Sequence, residues 1–204
     1  MLKARSTIAT VAAAVLMLTL GACSSDGESD ASGSSSKATA AAEKAAFTPQ
    51  DVADPGEDLL GRVRVGKLFP GAVLKSSWKF PASYERDGLE TTKAYTADEH
   101  FRISIQAGTG DQAAAAAAMT SAQSQAEAKG QETSLHTVTV KGREFAVLVQ
   151  DTPEAGILTY AHAPEGDEKF YIVQLATTMK LADVPQDQLD AFVQTLGSLE
   201  FEIV

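Results

Sequence analysis

The sequence predicts an α+β fold in which helices pack on an antiparallel β-sheet. Short segments of alternating apolar and polar residues recur along the chain, as in the half-buried strands of antiparallel sheets. Two segments, 112–129 and 185–196, have helix-forming composition or periodicity between recognisable start and stop residues. A third, 169–177, is apolar on both faces, which predicts a central strand covered on both sides.

Two strands are predicted before a turn that is expected at 97–99. The segment 73–80 carries the chain's only tryptophan, Trp78, near its end, and Pro81 stops it. A lone tryptophan in a strand can be a ligand platform or a core residue, and the core is its commoner place. A second strand is predicted over 91–95.

The third strand, predicted over 100–107, shows the clearest alternation. Phe101, Ile103 and Ile105 alternate with polar residues, which predicts one buried face and one face in water. The chain is then expected to turn at 108–110.

A long alanine-rich helix is predicted over 112–129. Asp111 is a good N-cap, and Gly130 is expected to end the helix. The six alanines at 113–118 favour helix. Their small side chains allow close packing on a sheet, which is the favoured interpretation, or they leave room for a ligand cleft.

A β-rich region follows this helix. Apolar residues alternate on both sides of Lys141-Gly142, which predicts a hairpin with a tight turn. Further strands are predicted over 157–162 and 169–177, with a turn at 163–167 between them.

The chain closes with a helix and a strand. Pro185 is expected in the first turn of the helix after a cap at Asp183 or Val184, and Gly197 is expected to end it. Four apolar residues recur at helical spacing: Leu189, Phe192, Val193 and Leu196. Residues 199–203 alternate as a last strand. The predicted order is β-β-β-α-β-β-β-β-α-β, which fits an antiparallel sheet with helices on it.

Residues 47–72 show the weakest pattern for secondary-structure prediction in the domain. The alternation around Val63 fits a short helix or an edge strand. Arg62, Arg64 and Lys67 form a small basic cluster in an acidic protein. This cluster is interpreted as a solvated strand face, with contact to an acidic partner or a lipid phosphate as the less favoured reading.

The N-terminal residues 1–22 have the features of a secretory signal. Lys3 and Arg5 give a short positive region, and residues 8–20 form an apolar run without charge. The sequence Leu20-Gly21-Ala22-Cys23 places small residues just before a cysteine. This arrangement resembles the lipobox of bacterial lipoproteins, in which the cysteine receives a diacylglyceryl group and becomes the first residue after cleavage.

The resemblance implies lipidation at Cys23 and an anchor on the extracytoplasmic face of the cell membrane. Two or more acyl chains hold a protein durably at a bilayer. Cys23 is also the only cysteine in the chain, so neither an internal disulfide nor a cysteine-based metal or redox site is expected.

The composition divides the remaining chain into a tether and a domain. Residues 23–46 are rich in Ser, Ala, Gly and Asp, so they are expected to form a flexible tether after the lipidated cysteine. Residues 47–204 are expected to form a single globular domain. Of the 17 basic residues, Lys3 and Arg5 precede the cleavage site, which leaves 15 basic against 27 acidic residues and a net charge of −12. Nucleic acid is therefore not an expected partner.

The element order also resembles that of Mog1/PsbP-like domains, which include actinobacterial lipoproteins of the LpqN type. The residues that carry the resemblance are the strand end Trp78-Lys79-Phe80-Pro81, the alanine-rich helix and the closing pattern of Phe192, Thr195-Leu196, Ser198-Leu199 and Phe201. The resemblance covers roughly 73–203. It implies an α/β/α sandwich around an antiparallel sheet, and a binding or adaptor role rather than an enzymatic one.

The sequence contains no recognisable catalytic or metal-binding motif, so neither a catalytic residue nor a cofactor or metal is expected. The histidines at 100, 136 and 162 have no second histidine at ligand spacing. Asp98-Glu99-His100 is interpreted as a turn, since three consecutive residues rarely converge on one ion. Asp151 and Glu154 are interpreted as solvated loop carboxylates.

The sequence therefore favours a membrane-anchored interaction or adaptor module over a small-ligand or lipid binding protein of the cell envelope. The first hypothesis expects an envelope protein as partner and an exposed aromatic patch, with Trp78, Tyr84 and Tyr95 as its candidate residues. The second expects a cleft between the sheet and the alanine-rich helix. An envelope hydrolase is a third hypothesis, which no motif in the sequence supports.

Overall fold

A computed structural model of the protein describes residues 46–66, 74–86, 92–165 and 168–203. They belong to one compact unit that spans 42–204. The predicted signal segment, Cys23 and nearly all of the predicted tether lie outside the described residues, as does Lys67.

The described residues form ten strands, two α-helices and one 3-10 turn. In chain order these are β1 (Leu60–Gly66), β2 (Leu74–Pro81), β3 (Glu85–Arg86), β4 (Lys93–Tyr95), β5 (Phe101–Thr109), α1 (Gln112–Glu127), β6 (Glu132–Val140), β7 (Arg143–Asp151), β8 (Gly156–His162), β9 (Lys169–Thr177), the 3-10 turn (Leu181–Asp183), α2 (Gln186–Gly197) and β10 (Glu200–Ile203).

The strands form two antiparallel sheets. The larger has seven strands in the order β3-β4-β5-β9-β8-β7-β6, and the smaller has three in the order β1-β2-β10. The predicted α+β class with helices packed on an antiparallel sheet is confirmed, and β9 is central as predicted, between β5 and β8. The second sheet was not predicted, because alternation shows that a segment is a strand but does not show which strand it pairs with.

The two faces of the large sheet carry different layers. On one face the sheet packs against α2 and the small sheet around a main core. Its largest fully buried side chains include Trp78, Phe145, Ile103, Phe192 and Leu196. On the other face α1 packs over a second, smaller cluster that contains Leu148 and Phe170. The helices therefore lie on opposite faces of the large sheet.

Helix α1 begins where its capping residue predicts and ends at Glu127, two residues before the predicted end. The Asp111 carboxylate accepts a hydrogen bond from the Ala114 amide at 3.0 Å, and Gly130 takes a left-handed φ of +76° just beyond the last turn. Ala115 and Met119 are buried against the sheet. The small side chains therefore serve close helix–sheet packing, which was the favoured interpretation.

Helix α2 begins later than predicted. Pro185 is the N-cap itself, and the residues expected to cap the helix form the end of the 3-10 turn. Gly197 is the last residue of the helix, and its role is to make room: a β-carbon there would lie 2.4 Å from Pro55 Cγ. The N-terminal part of the domain thus packs directly on the end of α2.

Hydrogen bonds fix the position of the segment that precedes β1. No helix or strand was predicted for this segment. The Asp51 carboxylate accepts from the Thr139 amide at 2.6 Å, and the Val52 carbonyl accepts from the Lys141 amide at 2.9 Å. The buried Gln194 side chain accepts from the Leu59 amide at 2.9 Å. These contacts bind residues 51–59 to the β6–β7 hairpin and to α2.

Within the described part of the chain, every helix is too short or too polar to cross a membrane.

Candidate functional site

A groove lies between the edge strand β1 and the chain that leaves β2. It encloses about 300 Å³. Its lining residues are Gly61, Arg62, Arg64, Phe80, Pro81, Ala82, Tyr84 and Ala94. The groove thus combines two guanidinium groups with a largely apolar floor.

Local backbone features bring β1 and the end of β2 together. The pairing of the two strands shifts between Leu60 and Val63, as at a β-bulge. At Gly61 a β-carbon would lie 3.3 Å from both Ala82 Cα and the Phe80 carbonyl oxygen, so a residue without a side chain suits this close approach. The Ala82 amide donates to the Leu59 carbonyl at 2.8 Å, which holds the two chains at this distance.

The groove floor includes a tyrosine that is fixed by α2. Only 9% of Tyr84 is exposed, and its hydroxyl donates to Gln188 Oε1 at 2.9 Å. Burial, with a smaller contribution from Asp187, raises the Tyr84 pKa far above its ordinary value. The phenol therefore stays neutral and provides a rigid, largely apolar wall.

The two arginines carry the charge of the groove. Arg62 is exposed and Arg64 is half-buried, and both extend from β1. Within the described ranges neither guanidinium has a hydrogen-bond or ion-pair partner, whereas nearby Lys79 is paired with Glu57. The site therefore presents two positive charges without a partner in a protein whose net charge is −10.

The three aromatic residues proposed for an exposed patch do not form one. Trp78 is 0% exposed and belongs to the main core, so its placement on an interaction surface was wrong and the core interpretation is correct. Tyr95 is half-buried on β4, beside Arg102 of β5, and is not part of the groove lining. Of the three residues only Tyr84 lines the groove.

The basic cluster was the sequence signal that pointed to this site. Arg62 and Arg64 were recognised as unusual, but the favoured interpretation was a solvated strand face. Nothing in the sequence indicated that Phe80 and Ala94 would lie beside them, because those residues belong to strands of two different sheets.

Each histidine is engaged in local structure. His100 Nδ1 lies 2.7 Å from Thr178 Oγ1, His136 Nε2 lies 2.8 Å from Ser134 Oγ, and His162 Nδ1 lies 2.8 Å from the Glu144 carbonyl. Within the described ranges, no group of three or more His, Cys, Asp or Glu residues could hold a metal ion.

The segment Asp98-Glu99-His100 is a turn, as interpreted from the sequence. The Asp98 carboxylate accepts from the Thr96 hydroxyl at 2.5 Å and from the His100 amide at 3.1 Å. These hydrogen bonds lower the Asp98 pKa. Glu99 takes a left-handed φ of 59°. The carboxylate of Asp98 therefore stabilises the turn itself.

His162 is expected to make the stability of the domain depend on pH. Burial is the main cause that lowers its pKa below the ordinary 6.5. The contribution of neutral His162 to the free energy of unfolding is fully present above pH 6.5. It is lost as the pH falls from 6.5 towards the lowered pKa of the folded state, because in this range the unfolded chain binds the proton and the folded chain does not. Urea unfolding at pH 8 and pH 5 should show a larger loss of stability for the natural chain than for His162→Gln. An equal loss in both proteins would contradict this assignment.

Comparisons with known proteins give no family. No family model matches the chain, and no curated protein matches it. The chain is similar to a protein of Bacteroides thetaiotaomicron VPI-5482 with a crystal structure at 1.50 Å resolution, at 12% identity and a TM-score of 0.45. The match covers 67% of this chain and 47% of the other, so the chain spans about half the length of that protein.

Proposed function

We propose that the protein is a lipoprotein of the cell envelope, anchored through Cys23 on the extracytoplasmic face of the membrane, whose domain acts as a protein-interaction or adaptor module. The observation that carries the anchor is the sequence Leu20-Gly21-Ala22-Cys23 after a charged and then apolar N-terminus. A long polar segment between Cys23 and the domain gives the domain reach from the bilayer.

The groove supports a role in binding rather than catalysis. It offers positive charge and apolar surface, which are suited to recognition. Three titratable groups with shifted pKa values make structural hydrogen bonds: Asp98 holds a turn, Asp151 accepts from the Leu181 amide, and His162 donates to a backbone carbonyl. The proposed partner is another envelope protein.

A second candidate function is the binding of a small ligand or lipid. The observation that favours it is the groove volume of about 300 Å³, which lies at the lower end of the range for small-molecule sites. The space between α1 and the large sheet is filled by packed side chains such as Met119 and Phe170. A small ligand would therefore occupy the groove beside Tyr84 and not the cleft first expected beneath α1.

Replacement of the anchor residue tests the proposal. Cys23→Ala should abolish the incorporation of a labelled fatty acid into the protein, because the chain loses its only cysteine and with it the site of lipidation. Crosslinking in intact cells, followed by mass spectrometry, should identify a partner for the natural chain that disappears in the variant. Ser36→Ala in the same polar segment should leave both results unchanged.

Either of two outcomes would contradict the proposal. Undiminished incorporation of the fatty acid into Cys23→Ala would exclude Cys23 as the lipid anchor. Failure to find any reproducible protein partner, with the natural chain present in the membrane fraction, would exclude the adaptor role. The second candidate function would then be tested by extracting bound lipids from the purified protein.

A further inference from the structure

The outer edge of β1 has the features of a site for an added strand. β1 is seven residues long and pairs with β2 alone, so it forms the edge of the small sheet in the described part of the chain. An edge strand presents backbone donors and acceptors that another extended chain can pair with.

The side chains along this edge are unusual for the domain. Val63 is 54% exposed, which makes it the more exposed of the two large apolar side chains that the described surface shows. Arg62 and Arg64 flank it, and both line the groove. Both arginines lie on the groove face of β1, where no described residue pairs with them, whereas Val63 lies on the opposite face. This edge is complementary to an extended segment with acidic side chains on one face and apolar side chains on the other.

The geometry of a strand sets the spacing of such a segment. Side chains at i and i+2 of an extended chain lie on one face, about 7 Å apart. Arg62 and Arg64 both line the groove, so they share one face of β1 beside the bulge, and carboxylates at i and i+2 of a facing strand can meet them. A guanidinium and a carboxylate can form two parallel hydrogen bonds, which adds geometric selectivity to the charge attraction.

We propose that β1 binds an extended acidic segment of the partner protein as an additional strand, with its carboxylates on Arg62 and Arg64 and its apolar side chains on the opposite face, against Val63. This inference rests on the proposed adaptor function and names the chemistry of the partner. It assigns the two arginines to recognition, and not only to the protection of a sheet edge against aggregation.

A labelled peptide of alternating glutamate and valine tests this inference with the full mature chain in neutral detergent. Fluorescence anisotropy should show saturable binding that weakens as the salt concentration is raised. Arg62→Glu/Arg64→Glu should weaken binding at least about tenfold, and Arg62→Gln/Arg64→Gln should weaken it less. The matched control is Lys129→Glu/Lys180→Glu, which makes the same change in net charge at exposed lysines outside the groove and should bind like the natural chain.

A second peptide separates strand addition from charge attraction. The same sequence with alternate backbone nitrogens methylated keeps every carboxylate but loses donors for pairing, so it should bind at least about tenfold more weakly. Equal binding of the methylated peptide, equal binding by the Arg62→Glu/Arg64→Glu variant, or no binding of the unmodified peptide up to about 1 mM would overturn the inference.

The cellular crosslinking experiment separates this inference from the proposed function. A partner that is retained by Arg62→Glu/Arg64→Glu but lost by Cys23→Ala would leave the adaptor role intact and overturn β1 as its docking site. A partner lost in both variants, while Lys129→Glu/Lys180→Glu retains it, would support both. Circular dichroism of each variant checks that the domain remains folded.

Discussion

Replacing Phe192 by alanine is expected to lower the free energy of unfolding by about 3–5 kcal/mol. Phe192 is 0% exposed, and its ring packs edge-to-face on Tyr160 with centroids 5.4 Å apart. Tyr160 belongs to β8 of the large sheet, so this contact joins α2 directly to the main core. Removal of the ring loses its burial and leaves a cavity among Leu196 and the other members of that core.

Urea denaturation followed by the fluorescence of Trp78 would measure the loss. Trp78 is the only tryptophan and lies in the same core, so its emission should report the unfolding of this region. The matched control on the same helix is Asp190→Ala, which changes an exposed residue and should shift stability by no more than about 0.5 kcal/mol. A cost below about 1 kcal/mol for Phe192→Ala would contradict the described packing of α2.

The second large effect is expected at Gly108. This residue lies directly opposite Phe170 in the pairing of β5 with β9, and a β-carbon there would lie 2.1 Å from Phe170 Cζ. The aromatic ring therefore occupies the space that any side chain at 108 would need. Gly108→Ala is expected to destabilise the domain by about 1–3 kcal/mol, because the ring must move within a cluster that α1 already covers.

A double-mutant cycle tests the cause of this effect. Phe170→Ala removes the ring and should itself cost about 3–5 kcal/mol, since Phe170 is buried beneath α1. Once the ring is absent, Gly108→Ala should add little, so the double variant should be more stable than the sum of the single losses predicts. Additive losses would show that the contact between residues 108 and 170 is not the reason for the glycine.

The elements of this fold follow largely from local patterns. The cap at Asp111, the left-handed Gly130 and the hairpin turn at Lys141-Gly142, with φ values of 51° and 75°, all lie where the residue types predict them. Strand β3 has only two residues, which is too short for a periodic pattern, and it was not predicted. The start of α2 was misplaced because Pro185, expected in the first turn, has an extended ψ of 141° and is the N-cap instead.

The candidate site was less predictable than the fold, because it depends on contacts between distant segments. Arg62 and Arg64 were visible as a basic cluster, and Tyr84 was proposed for a different reason. These residues come together because of the bulge near Gly61 and the path of the chain after β2 ends at Pro81. Neither feature can be predicted from the periodicity of apolar residues. For Trp78, the expectation that a lone tryptophan in a strand lies in the core was correct.

The pairing of β2 with β10 has a consequence for how the protein is made. Ser77 and Glu200 are hydrogen-bonded partners 123 positions apart, and β10 lies at the very end of the described chain. Closing so long a loop is entropically costly, and contacts between distant residues form late in folding. The small sheet, including the support of β1 by β2, therefore cannot be completed until β10 has been synthesised. Deletion of Glu200–Ile203 would remove the third strand of that sheet, so it should impair folding more than the loss of four residues suggests.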